Sequence, residues 1–334
     1  MRWKEVFSTI DSHVGGQPLR LITFGAPRLT PAPLRDQIAE MQQKYDYIRG
    51  WLLAEPRGHS GMTGALLVPS INPEIDHGVI FMSAGGYKPM SGHGMIALAT
   101  TLIESGSVPT DGPETRINFE TWAGPISERA SVDKGRVQGV RFRNVPSFRT
   151  HKDLEIPYDG RTIKVDVAYG GNWYAIARAE DLGIQLETNR AHAIKAAGLA
   201  VCEAVTAQID VEHPLDPGLG GIFGTVILGA PKSEESSSSN ATVYLNGLID
   251  RSPCGTGMSA TMACLAADGD LQVGQPYVSE SLMLSTLTGR ISTTVEVDGF
   301  PGIIAEIAGR GQVTGMHQFF IDPADPLGQG FVLL

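Results

Sequence analysis

Apolar positions recur along this chain at two spacings, and the segments they mark alternate. Every-other-residue patterning predicts strands at Val6–Ile10 and Leu19–Phe24. Between them Asp11–Pro18 reads as a polar loop with His13 and two glycines. Helical spacing then takes over: Leu34, Ile38, Met41 and Tyr45 predict a helix over Pro31–Trp51, with Pro31 and Pro33 at its start. Short apolar runs at Ala65–Val68 and Val79–Met82 follow, then the turn Tyr87–Gly94 and a helix from Met95 to Glu104. Residues 115–178 are strand-rich (Ile117–Thr121, Val137–Phe142, Ile163–Val167), and Tyr169–Tyr174 is a glycine turn whose aromatics read as core. The second half predicts a helix over Thr188–Val205, a strand Ile222–Leu228, a solvated hairpin tip Lys232–Asn240 and an apolar run Ala241–Leu248. It ends with the turn Asp250–Gly257, a helix Met258–Ala267, strands at Leu282–Ser285 and Thr293–Val297, and a stretch Ile303–Gly315 that closes in the glycine-rich run Gly309–Gly315.

Two of these segments match each other. Met90–Gly106 (MSGHGMIALATTLIESG) and Pro253–Gly269 (PCGTGMSATMACLAADG) align without a gap. Both carry a small nucleophile, then Gly-X-Gly-Met, matched Ala and Leu positions, and a closing Gly. A strand–turn–helix unit repeated once in each half predicts a two-domain chain built on an internal repeat. Ser91 then stands where Cys254 stands in the other copy.

Composition narrows the class. A length of 334 residues accommodates about two domains, and 42% apolar with 19% charged residues is that of a globular protein. The net charge of −10 disfavours nucleic acid and anionic membrane as partners. Met1–Val6 lacks the apolar core of a signal peptide, and no apolar run reaches the length of a membrane span. Cys202, Cys254 and Cys264 are too few and too scattered for a disulfide framework or a zinc site. A cytoplasmic location follows as the expectation, and there a cysteine in a glycine-rich turn reads as reactive.

The chemistry follows from the turns. Backbone N–H groups at a helix start attract anions, and that field is expected to lower the pKa of a thiol placed there. No Gly-Lys-Ser/Thr element accompanies them, so the anion is read as a carboxylate. A side chain at each turn would lie on either face of the carbon beside it, the geometry for moving an α-proton, and Asp250 could pair with an amine. Neither a metal cluster, a Schiff-base context nor a dinucleotide fingerprint is evident, so the expected cofactor and metal are none. The expected partner is a small molecule that carries a carboxylate and an amine, and the expected state a monomer or homodimer. A binding protein that kept such a pocket without turnover is the reading from another class. The loops at His13, Arg57–Gly64 (with His59) and His213-Pro214 carry polar groups without an assigned role.

Ser91-Gly92-His93-Gly94 and Asp250-Arg251-Ser252-Pro253-Cys254-Gly255-Thr256-Gly257 closely resemble the two signature motifs of the proline racemase family. Asp11–Arg20, Glu55–Gly64 and Gly315–Phe331 also look like its pattern, so the resemblance spans essentially the whole chain. It implies an α/β (α+β) fold similar to diaminopimelate epimerase. Two pseudo-symmetric domains, each a curved, mostly antiparallel sheet around a central helix, would meet at a cleft holding the site. The domains are expected at 1–125 plus about 316–334, and 126–315. The resemblance further implies that Gly92, His93, Gly255 and Thr256 hold a carboxylate, that Asp250 holds the ring nitrogen, and that positions 91 and 254 are the acid/base pair. Racemases of the family carry cysteine at both positions, whereas this chain has Ser91. A Ser/Cys pair fits dehydration of trans-3-hydroxy-L-proline better than racemisation, with 4-hydroxyproline 2-epimerisation as the alternative.

Overall fold

A computed structural model describes residues 5–110 and 112–333. Most of the Met1–Val6 stretch, read above for the absence of a signal peptide, lies outside the described residues. The chain divides into two compact units, Met1–Phe142 with Arg310–Leu334, and Arg143–Gly309. The cut at Phe142/Arg143 falls inside the long strand Arg136–Tyr158. Position 125 lies in the strand Gly124–Asp133, and position 315 in Gly311–Ile321.

The first unit is built from three antiparallel hairpins: Glu5–Val14 with Gln17–Phe24, Thr63–Val68 with His77–Ser83, and Glu114–Thr121 with Gly124–Asp133. Parallel contacts join the first to the second and the second to the third, and Gly311–Ile321 extends the sheet beside Glu5–Val14. The second unit repeats the scheme with Arg161–Tyr169/Trp173–Arg178, Ile222–Gly229/Ser238–Tyr244 and Pro276–Glu280/Thr286–Val297. Its hairpins are again joined by parallel pairs. Phe300–Gly309 pairs with both Thr286–Val297 and Arg136–Tyr158, which closes the second unit's strands into a ring. The internal repeat seen in the two motifs thus extends to strand order and pairing sense.

In each unit the motif helix lies between the second and third hairpins in sequence, Gly92–Glu104 and Gly255–Asp268. Both are buried over most of their length, which an apolar, small-residue sequence permits on every face. Their hydroxyls are satisfied internally: Thr100 and Thr101 donate to the carbonyls of Ile96 and Ala97, Ser259 and Thr261 to those of Gly255 and Gly257. Full burial of Met95, Ile96 and Leu98 contributes about 1.5–3 kcal/mol per side chain. Further helical segments pack on the strands of each unit, Leu34–Lys44 and Tyr47–Leu53 on the Thr63–Val68/His77–Ser83 hairpin and Ala191–Thr206 on the Ile222–Gly229/Ser238–Tyr244 hairpin.

Several sequence expectations change. Asp11–Pro18 is not a loop: the strands continue to Val14 and Gln17 and turn at Gly15-Gly16, whose φ of 56° and 86° make a two-residue turn. The helix expected over Pro31–Trp51 is two, Leu34–Lys44 and Tyr47–Leu53, broken at Tyr45 where φ is −132°. Leu282–Ser285 is a hairpin tip rather than a strand, with Leu284 at a φ of 59° and with Met283 and Leu284 exposed. Ser238–Asn240 belong to a buried strand, so the solvated tip ends before them. Both motif helices begin three residues earlier than expected, which places Ser91 and Cys254 at their N-caps. No helix among the described residues is long and apolar enough to cross a membrane.

Candidate active site

The second motif is a tight, buried turn. Asp250 is 2% exposed, and its Oδ1 accepts from the Ser252 N–H and hydroxyl, both at 2.8 Å. The Ser252 hydroxyl in turn accepts from the Cys254 N–H at 3.2 Å. This chain of bonds fixes Cys254 at a φ of 59°, in the left-handed region that a cysteine seldom occupies. The strained residue caps its own helix, its sulfur accepting from the Gly257 N–H at 3.4 Å. Gly257 has to be glycine, because a Cβ there would lie 3.1 Å from Cys254 Sγ and 2.8 Å from Val226 Cγ2.

Two phenols complete the surroundings of the sulfur. Tyr174, Gly224 and Tyr244 form one row across three neighbouring strands, with the glycine between the tyrosines. The Phe223 ring packs edge-on against both tyrosine rings. The Tyr174 hydroxyl lies 3.6 Å from Cys254 Sγ and 2.7 Å from Thr256 Oγ1. The Tyr244 hydroxyl lies 3.5 Å from the sulfur and donates to Asp250 Oδ2. Thr256, 3% exposed, also has its hydroxyl 3.7 Å from the sulfur. The expected lowering of the thiol pKa is reversed. Burial pushes the Cys254 thiol up and the Asp250 carboxylate adds to that, while Tyr244, Tyr174 and the Gly257 N–H pull the other way. Burial likewise raises both phenols well above their usual range.

The first motif has the same helix start with different fittings. Ser91 is 5% exposed and caps Gly92–Glu104 in an extended conformation, with a φ of −142° and no side-chain capping bond. Its hydroxyl lies 3.4 Å from Nδ1 of the buried His93. Gly94 mirrors Gly257: a Cβ there would meet Ser91 Oγ at 2.7 Å. At the head of the nearby strands stand Leu19, Thr63 and Ser83 in one row, without a phenol. Thr63 accepts instead from the buried Lys88 at 3.1 Å.

The structure therefore gathers Asp250, Cys254, Gly255 and Thr256 in one turn of the second unit, and Ser91, Gly92 and His93 in one turn of the first. Sequence reading missed Tyr244 altogether and took Tyr174 only as core. The Asp11–Arg20 resemblance resolves into a part-buried ion pair of 2.7 Å whose arginine also donates to the carbonyls of Leu52 and Arg57, tying the hairpin to the Glu55–Gly64 loop. The three unassigned histidines brace local turns. Nδ1 of His13, His59 and His213 accepts from the N–H of Gly16, Gly61 and Leu215 respectively. Among the described residues no cluster of three or more His, Cys, Asp or Glu side chains could hold a metal ion.

The proline racemase family model matches residues 9–332. Over its full length the chain is 35% identical to the trans-3-hydroxy-L-proline dehydratase of Bacillus cereus, with 100% of both chains covered. It is 39% identical to the 4-hydroxyproline 2-epimerase of Streptosporangium roseum, again with 100% of both covered. Its fold superposes on a hydroxyproline epimerase from Agrobacterium vitis, solved with bound trans-4-hydroxy-L-proline, with a TM-score of 0.93 and 32% identity over 100% of this chain and 96% of that one. Matched along essentially its whole length in sequence and superposing over all of it on a solved relative, the chain belongs to the proline racemase family.

Proposed function

We propose that the protein is a cofactor-independent trans-3-hydroxy-L-proline dehydratase. The carrying observation is that the two motif positions are built unequally. The sulfur of Cys254 has two phenols and an N–H group around it, whereas the Ser91 hydroxyl has the His93 ring and no capping N–H. Such surroundings suit one anionic base once a cation neutralises Asp250, and elimination needs strong proton abstraction on one face only. In this reading Cys254 as thiolate takes the α-proton. The 3-hydroxyl, trans to the carboxylate and so on the same face as that proton, receives it back from the Cys254 thiol and leaves as water. The resulting enamine tautomerises to Δ1-pyrroline-2-carboxylate. Gly92, His93, Gly255 and Thr256 hold the carboxylate, Asp250 holds the ring nitrogen, and Ser91 binds substrate or returns a proton. The Bacillus cereus relative named for this reaction supports the assignment. A thiol of this kind needs a reducing compartment, and all three cysteines are free, which supports a cytoplasmic location. The test is incubation with trans-3-hydroxy-L-proline and a reductase-coupled assay of pyrroline-2-carboxylate; absence of product sinks the assignment.

One observation favours a second reading, 4-hydroxyproline 2-epimerase. The imidazole beside Ser91 offers that hydroxyl a proton partner, which a second acid/base residue needs. The epimerases of Streptosporangium roseum and Agrobacterium vitis stand on the same side. With trans-4-hydroxy-L-proline in D₂O, a deuterated cis-4-hydroxy-D-proline signal by NMR selects epimerisation, and an unexchanged Cα rejects it.

A further inference from the structure

The Tyr244 hydroxyl is the point at which Asp250 and Cys254 meet. It donates to Asp250 Oδ2 and lies 3.5 Å from Cys254 Sγ. A phenol has one proton to donate. While that proton is directed at the carboxylate, the oxygen presents only lone pairs to the sulfur, and the matching state of Cys254 is the thiol, with S–H directed at the phenol. If a cation takes over Asp250, the phenol proton is free to swing to the sulfur, and the matching state becomes the thiolate. A donor hydrogen bond to an anion is roughly twice as strong as a neutral one, so the rotation carries real free energy. Tyr244 is 8% exposed and its ring is packed against Phe223, so the hydroxyl is held between its two partners.

We propose that Tyr244 is a positioning residue that couples occupation of Asp250 by a cationic ligand nitrogen to the ionisation of Cys254. The inference rests on the assignment of Asp250 to a ring nitrogen and of Cys254 to proton abstraction. The titratable groups that act on Cys254 are Asp250, Tyr244 and Tyr174. Those that act on Tyr244 are Asp250, Cys254 and Tyr174. Tyr174 is engaged with Thr256 Oγ1 at 2.7 Å, so it is the steadier of the two phenols. The site would thus hold an unreactive thiol when empty and a base when filled.

The test needs no substrate and is run on the full chain. The thiolate absorbance lost on Cys254→Ala is titrated in the wild type, Asp250→Asn, Tyr244→Phe and the double variant. Asp250→Asn mimics the neutralised carboxylate. It is expected to lower the thiol midpoint, and the lowering should shrink by on the order of one pH unit when Tyr244→Phe is also present. An equal lowering in both backgrounds means that Asp250 acts on the sulfur through its field alone, and overturns the role of Tyr244. Tyr174→Phe in place of Tyr244→Phe should leave the lowering intact; if it removes it instead, the coupling belongs to the other phenol and the proposal fails. Thermal melts establish that each variant is folded. Since no arm uses hydroxyproline, failure here leaves the dehydratase assay standing, and a failed assay leaves the coupling measurement intact.

Discussion

Cys254 sits among groups that pull its proton in opposite directions, and its pH behaviour follows from their balance. Burial first, and then Asp250, hold the thiol above its ordinary value, against the two phenols and the Gly257 N–H. If the thiolate is the base, kcat/KM rises with pH as the free-protein thiol ionises, on a limb displaced to the alkaline side of an ordinary cysteine. The kcat profile reports the occupied site; if a ring nitrogen neutralises Asp250 there, as proposed, its limb should lie at lower pH than that of kcat/KM. Superposed limbs would argue against any dependence of the thiol on Asp250. Replacing the sulfur is the sharper test of its role: Cys254→Ala should lower kcat about 10³-fold or more, whereas Ser91→Ala should cost a smaller factor if one base suffices. Comparable losses at both positions would favour the two-base epimerase reading.

The motif turn works as an element because glycine and strain are placed together. Cys254 is held at a positive φ, and the helix N–H of Gly257 is brought under its sulfur only because Gly257 has no Cβ. Gly257→Ala is therefore expected to displace the sulfur, with about 1–3 kcal/mol lost in a chemical melt and kcat reduced at least about 10²-fold. Near-normal kcat in a folded Gly257→Ala protein would show that the cap contact is dispensable. The turn itself was legible in the sequence, since Asp250 through Gly257 marks a break between two apolar runs. Its helix start was read three residues late, because Gly-X-Gly suggests continuing turn. The first N–H groups of a helix need no partner within it, so glycines are tolerated there. Tyr244 was out of reach for another reason: its meeting with Tyr174 at the sulfur depends on the register between the Ile222–Tyr244 hairpin and the strand Trp173–Arg178, far from it in sequence, which local patterning does not encode. Leu282–Ser285 misled in the opposite way, an apolar run that the structure spends on an exposed hairpin tip.

At the scale of the whole molecule, duplication sets the architecture, and the core of the first unit holds an unpartnered acid. Glu128, in the strand Gly124–Asp133 opposite Ile117, is fully buried, and neither carboxyl oxygen has a hydrogen-bond partner. Burial alone pushes its pKa well above the usual carboxylate range. In the unfolded chain the same group ionises at its ordinary value, so the unfolded state binds fewer protons than the folded one between those two values. Stability therefore falls as pH rises through that window and is greatest on its acid side. Glu128→Gln keeps the shape and removes the titration. Its melting temperature should match that of the wild type near the ordinary carboxylate pKa and exceed it at pH 8, with a gain of at least about 1 kcal/mol from the proton no longer taken up on folding. Parallel melting curves for the two proteins across that range would mean that Glu128 finds a partner in solution and that its burial carries no pH-dependent cost.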